Sequence, residues 1–320
     1  MNSTAVGLLV VTLASPVIVH AAPSRAAFEG APVVRRLAPD STRLPRLLAQ
    51  IKRAGQPEPS AGVSTQAVVE SHSSRSIVFP AAGSVHGAGG EFFRSDVTLE
   101  NLGGTQIDVG VVFLGRNATG EPPMFVIEDM RSDALPKTFV DFVGDYLGLE
   151  GQLGALWIIP LDDNGDPDTE GALDGFSRIW TNQPGRTGTV SQQFDAVDPF
   201  GFDFYANTAV MGLQQNAQYR TNWGIVNLDD TVHRFRVFAT SESHPGATDT
   251  TVEVGPFSMK QESVGVGSDF GGEGMTVFID YLDDFDVDPT PWVSFASSTD
   301  NTTGDGWVVL GSAQWDASDL

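Results

Sequence analysis

The second half of this chain repeats its first. Phe93-Arg94-Ser95-Asp96-Val97-Thr98-Leu99-Glu100-Asn101-Leu102 returns as Tyr219-Arg220-Thr221-Asn222-Trp223-Gly224-Ile225-Val226-Asn227-Leu228, with aromatic, Arg, hydroxyl, Asp/Asn, Asn and Leu positions in register. Two further blocks recur in the same order: Leu161-Asp162-Asp163 as Leu282-Asp283-Asp284, and more loosely Asn182-Gln183-Pro184-Gly185 as Asn301-Thr302-Thr303-Gly304. The spacings are 126 residues (Arg94 to Arg220), 121 (Asp162 to Asp283) and 119 (Asn182 to Asn301), a drift that differences in loop length produce. One module used twice predicts two domains in 320 residues, each near the usual size of about 100–150 residues. Duplication also favours a scaffold or binding surface over a single catalytic pocket.

From Ile77 onward, short apolar runs alternate with period two between Gly, Asn and Asp punctuation. Phe93, Val97 and Leu99 fall on one face of the first repeated strand, as Tyr219, Trp223 and Ile225 do in the second. The opposite face, with Arg94, Asp96, Thr98 and Glu100, is expected to meet solvent. Further strands are predicted at 107–114, 124–128, 153–159, 176–181 and 189–194, then at 209–213, 234–240, 250–254, 259–264, 276–281, 292–297 and 307–310. About seven strands per repeat, separated by turns every 8–12 residues or so, make the fold class all-β, with two tandem antiparallel β-sandwich domains. The one helical turn expected inside them lies around Val140–Leu147.

The expected organisation is a signal peptide over 1–21, a disordered basic leader rich in Pro, Ser and Ala over 22–75, and sandwich repeats over 76–202 and 203–320. The first 22 residues are uncharged and end in Val19-His20-Ala21, although no basic residue precedes the apolar run. Pro16 interrupts that run short of the ~20 residues a membrane span needs, which points to export. In the leader, Leu44, Leu47, Leu48 and Ile51 fall at helical spacing, so Leu44–Ala54 reads either as a propeptide or tether to an acidic partner, or as a mobile segment with one nascent turn.

Cysteine is absent, so neither a disulfide framework nor a thiolate metal site is available. Beyond Ile77 there are 37 acids against 10 bases. Such a surface repels phosphate backbones and anionic lipid and leaves cations and neutral ligands as partners. The expected setting is secreted, periplasmic or cell-surface, and the expected partner an extracellular protein or glycan.

Ser177-Arg178-Ile179-Trp180 followed by Gly188-Thr189-Val190-Ser191-Gln192, then Arg220-Thr221-Asn222-Trp223-Gly224-Ile225-Val226-Asn227, and Ser298-Thr299-Asp300-Asn301-Thr302-Thr303-Gly304-Asp305 resemble a group of uncharacterised bacterial secreted proteins built from tandem Ig-like β-sandwich repeats. The resemblance covers about residues 77 to 312 and implies fold and export without implying a reaction. Ser298 and Thr299 stand opposite Ile179 and Trp180, so a role for Arg178 would belong to the first repeat alone.

Two acidic stretches are the metal candidates. Asp162, Asn164, Asp166 and Asp168 recur at every second position, as do Asp284, Asp286 and Asp288, a spacing at which oxygen ligands in a curled loop converge on Ca²⁺. Pro167 and Leu173 occupy the places where an EF-hand needs Gly and Glu, and Asn164-Gly165 equally suits a plain hairpin tip. Arg94, Arg178 and Arg220 are ligand candidates or, in the alternative, structural guanidiniums. Trp180, Trp292 and Trp315 would serve a sugar-binding surface if exposed, whereas Trp157 and Trp223 fall on core-facing positions. No nucleophile elbow, H-E-x-x-H, phosphate loop or dinucleotide fingerprint occurs. The expectation is therefore an exported, non-catalytic structural or adhesion-type protein that requires no cofactor. The competing expectation is a carbohydrate-binding or carbohydrate-processing protein, stabilised by Ca²⁺ if the acidic loops bind it.

Overall fold

The alternation in the repeated strand appears in the computed structural model as β3 (Phe92–Asn101) and β11 (Tyr219–Asn227), with Val97, Leu99 and Ile225 fully buried and Trp223 nearly so. The structure describes residues 33–55, 76–87, 90–132, 135–168, 170–183, 187–199, 207–241, 249–264, 274–283 and 291–313. The fold is all-β and antiparallel in its sheets. Around β3 the first repeat builds β2 (Ile77–His86), β4 (Ile107–Gly115), β5 (Met124–Met130), β6 (Lys137–Phe139), β7 (Gln152–Leu161), β8 (Leu173–Asn182) and β9 (Thr189–Asp195). Around β11 the second builds β10 (Asn207–Leu213), β12 (His233–Thr240), β13 (Asp249–Val254), β14 (Ser258–Ser263), β15 (Met275–Tyr281), β16 (Trp292–Asp300) and β17 (Gly306–Leu310), with β18 (Ser312–Ala313) added to the edge of β10.

The pairing is duplicated as well. The pairs β2·β7, β4·β7, β4·β5, β3·β6, β3·β8 and β8·β9 recur as β10·β15, β12·β15, β12·β13, β11·β14, β11·β16 and β16·β17. Register follows the sequence blocks, since Arg94 faces Trp180 across the ladder and Arg220 faces Thr299. A bulge between Phe79 and Ala82 in β2 is matched by one between Val210 and Leu213 in β10. The copies differ in one respect. In the first, β2 also pairs with β3 through Ser84–His86, so its eight strands lie in a single sheet, made nine-stranded by three residues of the leader, whereas the second forms separate sheets of five and four strands.

Both repeats close an inner core, around Phe79, Val111, Phe125 and Ile158 in the first and around Trp223, Phe235, Val277 and Trp292 in the second. A third core joins them. Val112, Leu114, Ala155 and Trp157, on the outer face of β4·β7, share it with Val226, Met259, Val293 and Phe295 from the outer face of β14·β11·β16. Residues Pro32–Leu320 are consequently one compact unit. The continuous apolar runs of β4 and β7 carry this in the sequence, because a strand buried on both faces loses its alternation. The solvent face expected on the second repeated strand is corrected for the same reason. Gly224 and Val226 are buried there, and a Cβ at Gly224 would lie 2.2 Å from the Phe295 ring.

The expectation of a disordered leader over 22–75 does not hold for its described part. Three residues, β1 (Val34–Arg36), extend the first sheet along β5, and α1 (Arg43–Gly55) docks. Leu44, Leu47, Leu48 and Ile51 are at most 7 % exposed and belong to the shared core. Asp40 fixes the helix start by accepting hydrogen bonds from the Thr42 amide and hydroxyl, and Lys52 and Arg53 lie in the last turn, where the helix dipole favours them. Composition misleads over this segment because the chain's own sheets supply the apolar surface that four leucine and isoleucine side chains require. The helical turn expected around Val140–Leu147 is a single π-helical turn, Phe142–Tyr146.

Candidate functional site

Three of the expected ligand residues share the outer face of β3·β8. Arg94 and Trp180 are cross-strand partners, as are Asp96 and Arg178. The Arg94 guanidinium lies 4.7 Å from the Phe92 ring centroid and 5.6 Å from that of Trp180, and its Nε is 3.3 Å from Asp141 Oδ2. Asp141 stands in the left-handed region at φ 48°, immediately before the π-turn, and its amide donates to Asp96 Oδ1. Burial raises the Asp141 carboxyl above the usual range, against the opposing effects of Ser84, the Gly144 amide and Arg94. A glycine is required at 144, because a Cβ there would lie 2.6 Å from Ser84 Oγ and 2.9 Å from Asp141 Oδ1. Arg178 makes one long contact, 3.4 Å to Thr189 Oγ1.

The second copy does not reproduce this ledge. Arg220 donates to Asn301 Oδ1 at 2.8 Å, and the place of Trp180 is taken by Thr299. Trp292 is buried in the second inner core against Phe235, with ring centroids 5.0 Å apart. Trp315 lies outside the described residues, as do Asp284, Asp286 and Asp288. Of the tryptophans proposed for sugar binding, Trp180 alone is seen partly exposed.

The first acidic loop is a hairpin tip built on Asp162. Its Oδ1 accepts from the amides of Asn164 and Asp166, its Oδ2 from the Asn164 side chain, and its carbonyl from the Gly165 amide. These donors outweigh desolvation and hold the carboxyl below its ordinary value. Asp166 also faces Arg46 of α1 at 3.6 Å. Among the described residues, no group of three or more His, Asp or Glu side chains is placed to hold a metal ion.

The structure assembles one further cluster, with members 177 residues apart in sequence. Lys52 Nζ of α1 donates to Asp229 Oδ1 at 2.9 Å. His233 Nε2 and Thr231 Oγ1 lie 2.9 and 3.0 Å from Asp229 Oδ2. With Nε2–H directed at the carboxylate, His233 Nδ1 accepts the Tyr281 hydroxyl at 2.8 Å, and Asp283 Oδ2 lies 3.5 Å from the same nitrogen. Desolvation would raise the Asp229 carboxyl, but hydrogen bonds from His233 and Lys52 and the Lys52 charge prevail and hold it far below the carboxylate range. The residue types suit acid–base chemistry, yet both imidazole nitrogens and both oxygens of the Asp229 carboxylate are engaged within the chain. The cluster fastens α1 to the second repeat. Sequence offered one signal for it. Asp229 and His233 occupy the repeat positions of Gly103 and Ile107, so both polar groups are departures from the duplication.

The residues that repeat most faithfully are structural. Asn101 donates to the carbonyls of Thr105 and Met130 and accepts from the Gly103 amide. Asn227 donates to those of Thr231, Val254 and Gly255 and accepts from the Asp229 amide. In comparisons with known proteins, no family model, no curated protein and no solved structure matches the chain.

Proposed function

We propose that this chain is an exported bacterial protein of tandem Ig-like repeats, acting without catalysis as a structural or adhesion-type module at or beyond the cell surface. The observation that carries the proposal is the engagement of its chemistry-bearing side chains with one another. Asp229, His233, Lys52 and Tyr281 form a closed lock, and the repeated Asn101 and Asn227 are spent on loop carbonyls. Export is supported by the apolar first 21 residues and by the acidic composition of the rest. Among the described residues no helix is long and apolar enough to cross a membrane.

A carbohydrate reading keeps one point of support, the half-exposed Trp180 beside Phe92 and Arg94. Both readings meet one experiment. The full chain is expressed in a bacterium, the mature N-terminus is determined by mass spectrometry, and the purified product is incubated with intact cells and with a panel of polysaccharides while reducing ends are assayed. The expected result is a processed N-terminus near residue 22, sedimentation with cells and no release of reducing ends. An unprocessed chain confined to the cytoplasm, or sugar release abolished by Trp180→Ala, would overturn the proposal.

A further inference from the structure

The contact between the two repeats is head-to-tail. The outer face of β4·β7 in the first copy meets the outer face of β14·β11·β16 in the second, and these are different faces of the module. Each copy therefore retains the face that the other has used. A heterologous contact of this kind leaves two complementary surfaces unused and extends without limit unless it closes into a ring.

Each unused face keeps some apolar residues at the contact positions, while the pairs Leu114·Ala155 and Val226·Val293 are answered there by Thr240·Thr276 and Glu100·Asp174. In the first copy the buried cross-strand pair Val112·Trp157 lies under the second repeat, and Ala81 in the β2 bulge joins the same core. Their counterparts by pairing register are Phe238·Phe278 and Gly212 of the β10 bulge, beside Met211. Phe238 and Phe278 are stacked with centroids 4.9 Å apart, both are half-buried, and they belong to none of the three cores; Met211 is 55 % exposed. On the other face, Leu228 and Phe295 of the second copy are fully buried in the shared core, whereas their counterparts are Leu102, which is 50 % exposed, and the half-buried Phe176. Leu135, in the loop before β6, is 88 % exposed, close to the repeat position of the core residue Phe257. Each face carries charges of both signs, Arg234 and Arg236 beside Asp249, Asp280 and Asp283 on the first, and Arg94 and Arg178 beside Asp96, Glu100 and Asp174 on the second.

We infer that the outer face of β12·β15 in one chain docks onto the outer face of β3·β8 in a second copy, repeating the contact between the modules and building an open, linear assembly. The chain's net charge of −23 opposes this at low salt, so association strengthens as ionic strength approaches about 0.15 M, where the Debye length is about 8 Å. The inference stands on the geometry of the duplication and not on where the chain works.

Sedimentation velocity of the full chain over a range of concentrations tests it. The wild type is expected to grow in mass with concentration without a plateau at the dimer. Phe278→Glu and Leu102→Glu, one on each face, are each expected to remain monomeric, and an equimolar mixture of the two to form a dimer and nothing larger, because each supplies the face the other lacks. Met211→Lys and Leu135→Lys, at more exposed positions, repeat the test if either glutamate variant melts abnormally. A wild type monomeric at every concentration and salt, a single-face variant that still polymerises, or a mixture that fails to pair would overturn the inference. So would a monomeric wild type whose retention on a polysaccharide is lost in Phe278→Glu, which would assign that face to sugar.

Discussion

Replacing Lys52 with Met keeps the apolar stem and removes the ammonium that reaches Asp229 across the junction between α1 and the second repeat. The two side chains are 17 % and 10 % exposed, so the variant leaves a nearly buried carboxylate with His233 and Thr231 as its side-chain partners. Breaking a buried ion pair by removing one partner costs about 3–5 kcal/mol. The two surviving hydrogen bonds, each worth about 1 kcal/mol to a charged acceptor, reduce the expected loss to about 1–3 kcal/mol. The pH dependence has a definite sign. Asp229 is held below its unfolded value, so its contribution is complete above about 3.9 and is lost as pH falls through the folded value. Lys52→Met raises that folded value, so the contribution of Asp229 is smaller and is exhausted at a higher pH, and the gap between variant and wild type narrows once the variant's Asp229 is protonated. Urea denaturation at pH 7 and at steps down to pH 3, with hydrogen exchange read over residues 43–55, measures both effects. An unchanged midpoint at pH 7 together with unchanged protection of α1 would refute the assignment of this cluster as a lock.

The duplication predicts paired outcomes. Asn101→Ala and Asn227→Ala each strip donors from buried loop carbonyls, and both are expected to lower stability by about 2–4 kcal/mol in denaturant melts. Leu228→Ala is expected to cost about 2–5 kcal/mol, while Leu102→Ala, at the equivalent but exposed position, changes the same melt by about 0.5 kcal/mol or less. Because Asp162 is committed to amides of its own turn, millimolar Ca²⁺ is expected to leave the thermal midpoint where EDTA leaves it; a rise would make the acidic loops a binding site.

Most strand positions were legible because the repeat and the alternation report the same thing. The spacing of 119 that links Asn182 to Asn301 also links Trp180 to Thr299, and the ladder places both opposite the repeated Arg. The continuous runs in β4 and β7 showed that these are strands but left open what lies on the second face. A partner face is a property of the assembled fold, recorded in the sequence only as small departures from the repeat, such as Gly224 and Val226 in place of Thr98 and Glu100. Gly83 lies within β2, where a Cβ would press on the Leu153 side chain at 3.0 Å. Helical spacing located α1 but not its docking, because burial of Leu47 depends on strands far along the chain. The Lys52, Asp229, His233 and Tyr281 cluster joins three segments with no shared motif, which is why spacing could not find it.

The central structural claim is that two repeats and α1 share a third core and so behave as one body. Differential scanning calorimetry of the full chain at neutral pH tests it most directly. The account predicts one cooperative transition with matching calorimetric and van't Hoff enthalpies, shifted as a whole by Val111→Ala in the first inner core or Val277→Ala in the second. Two resolved transitions, each moved by one of these substitutions alone, would contradict it.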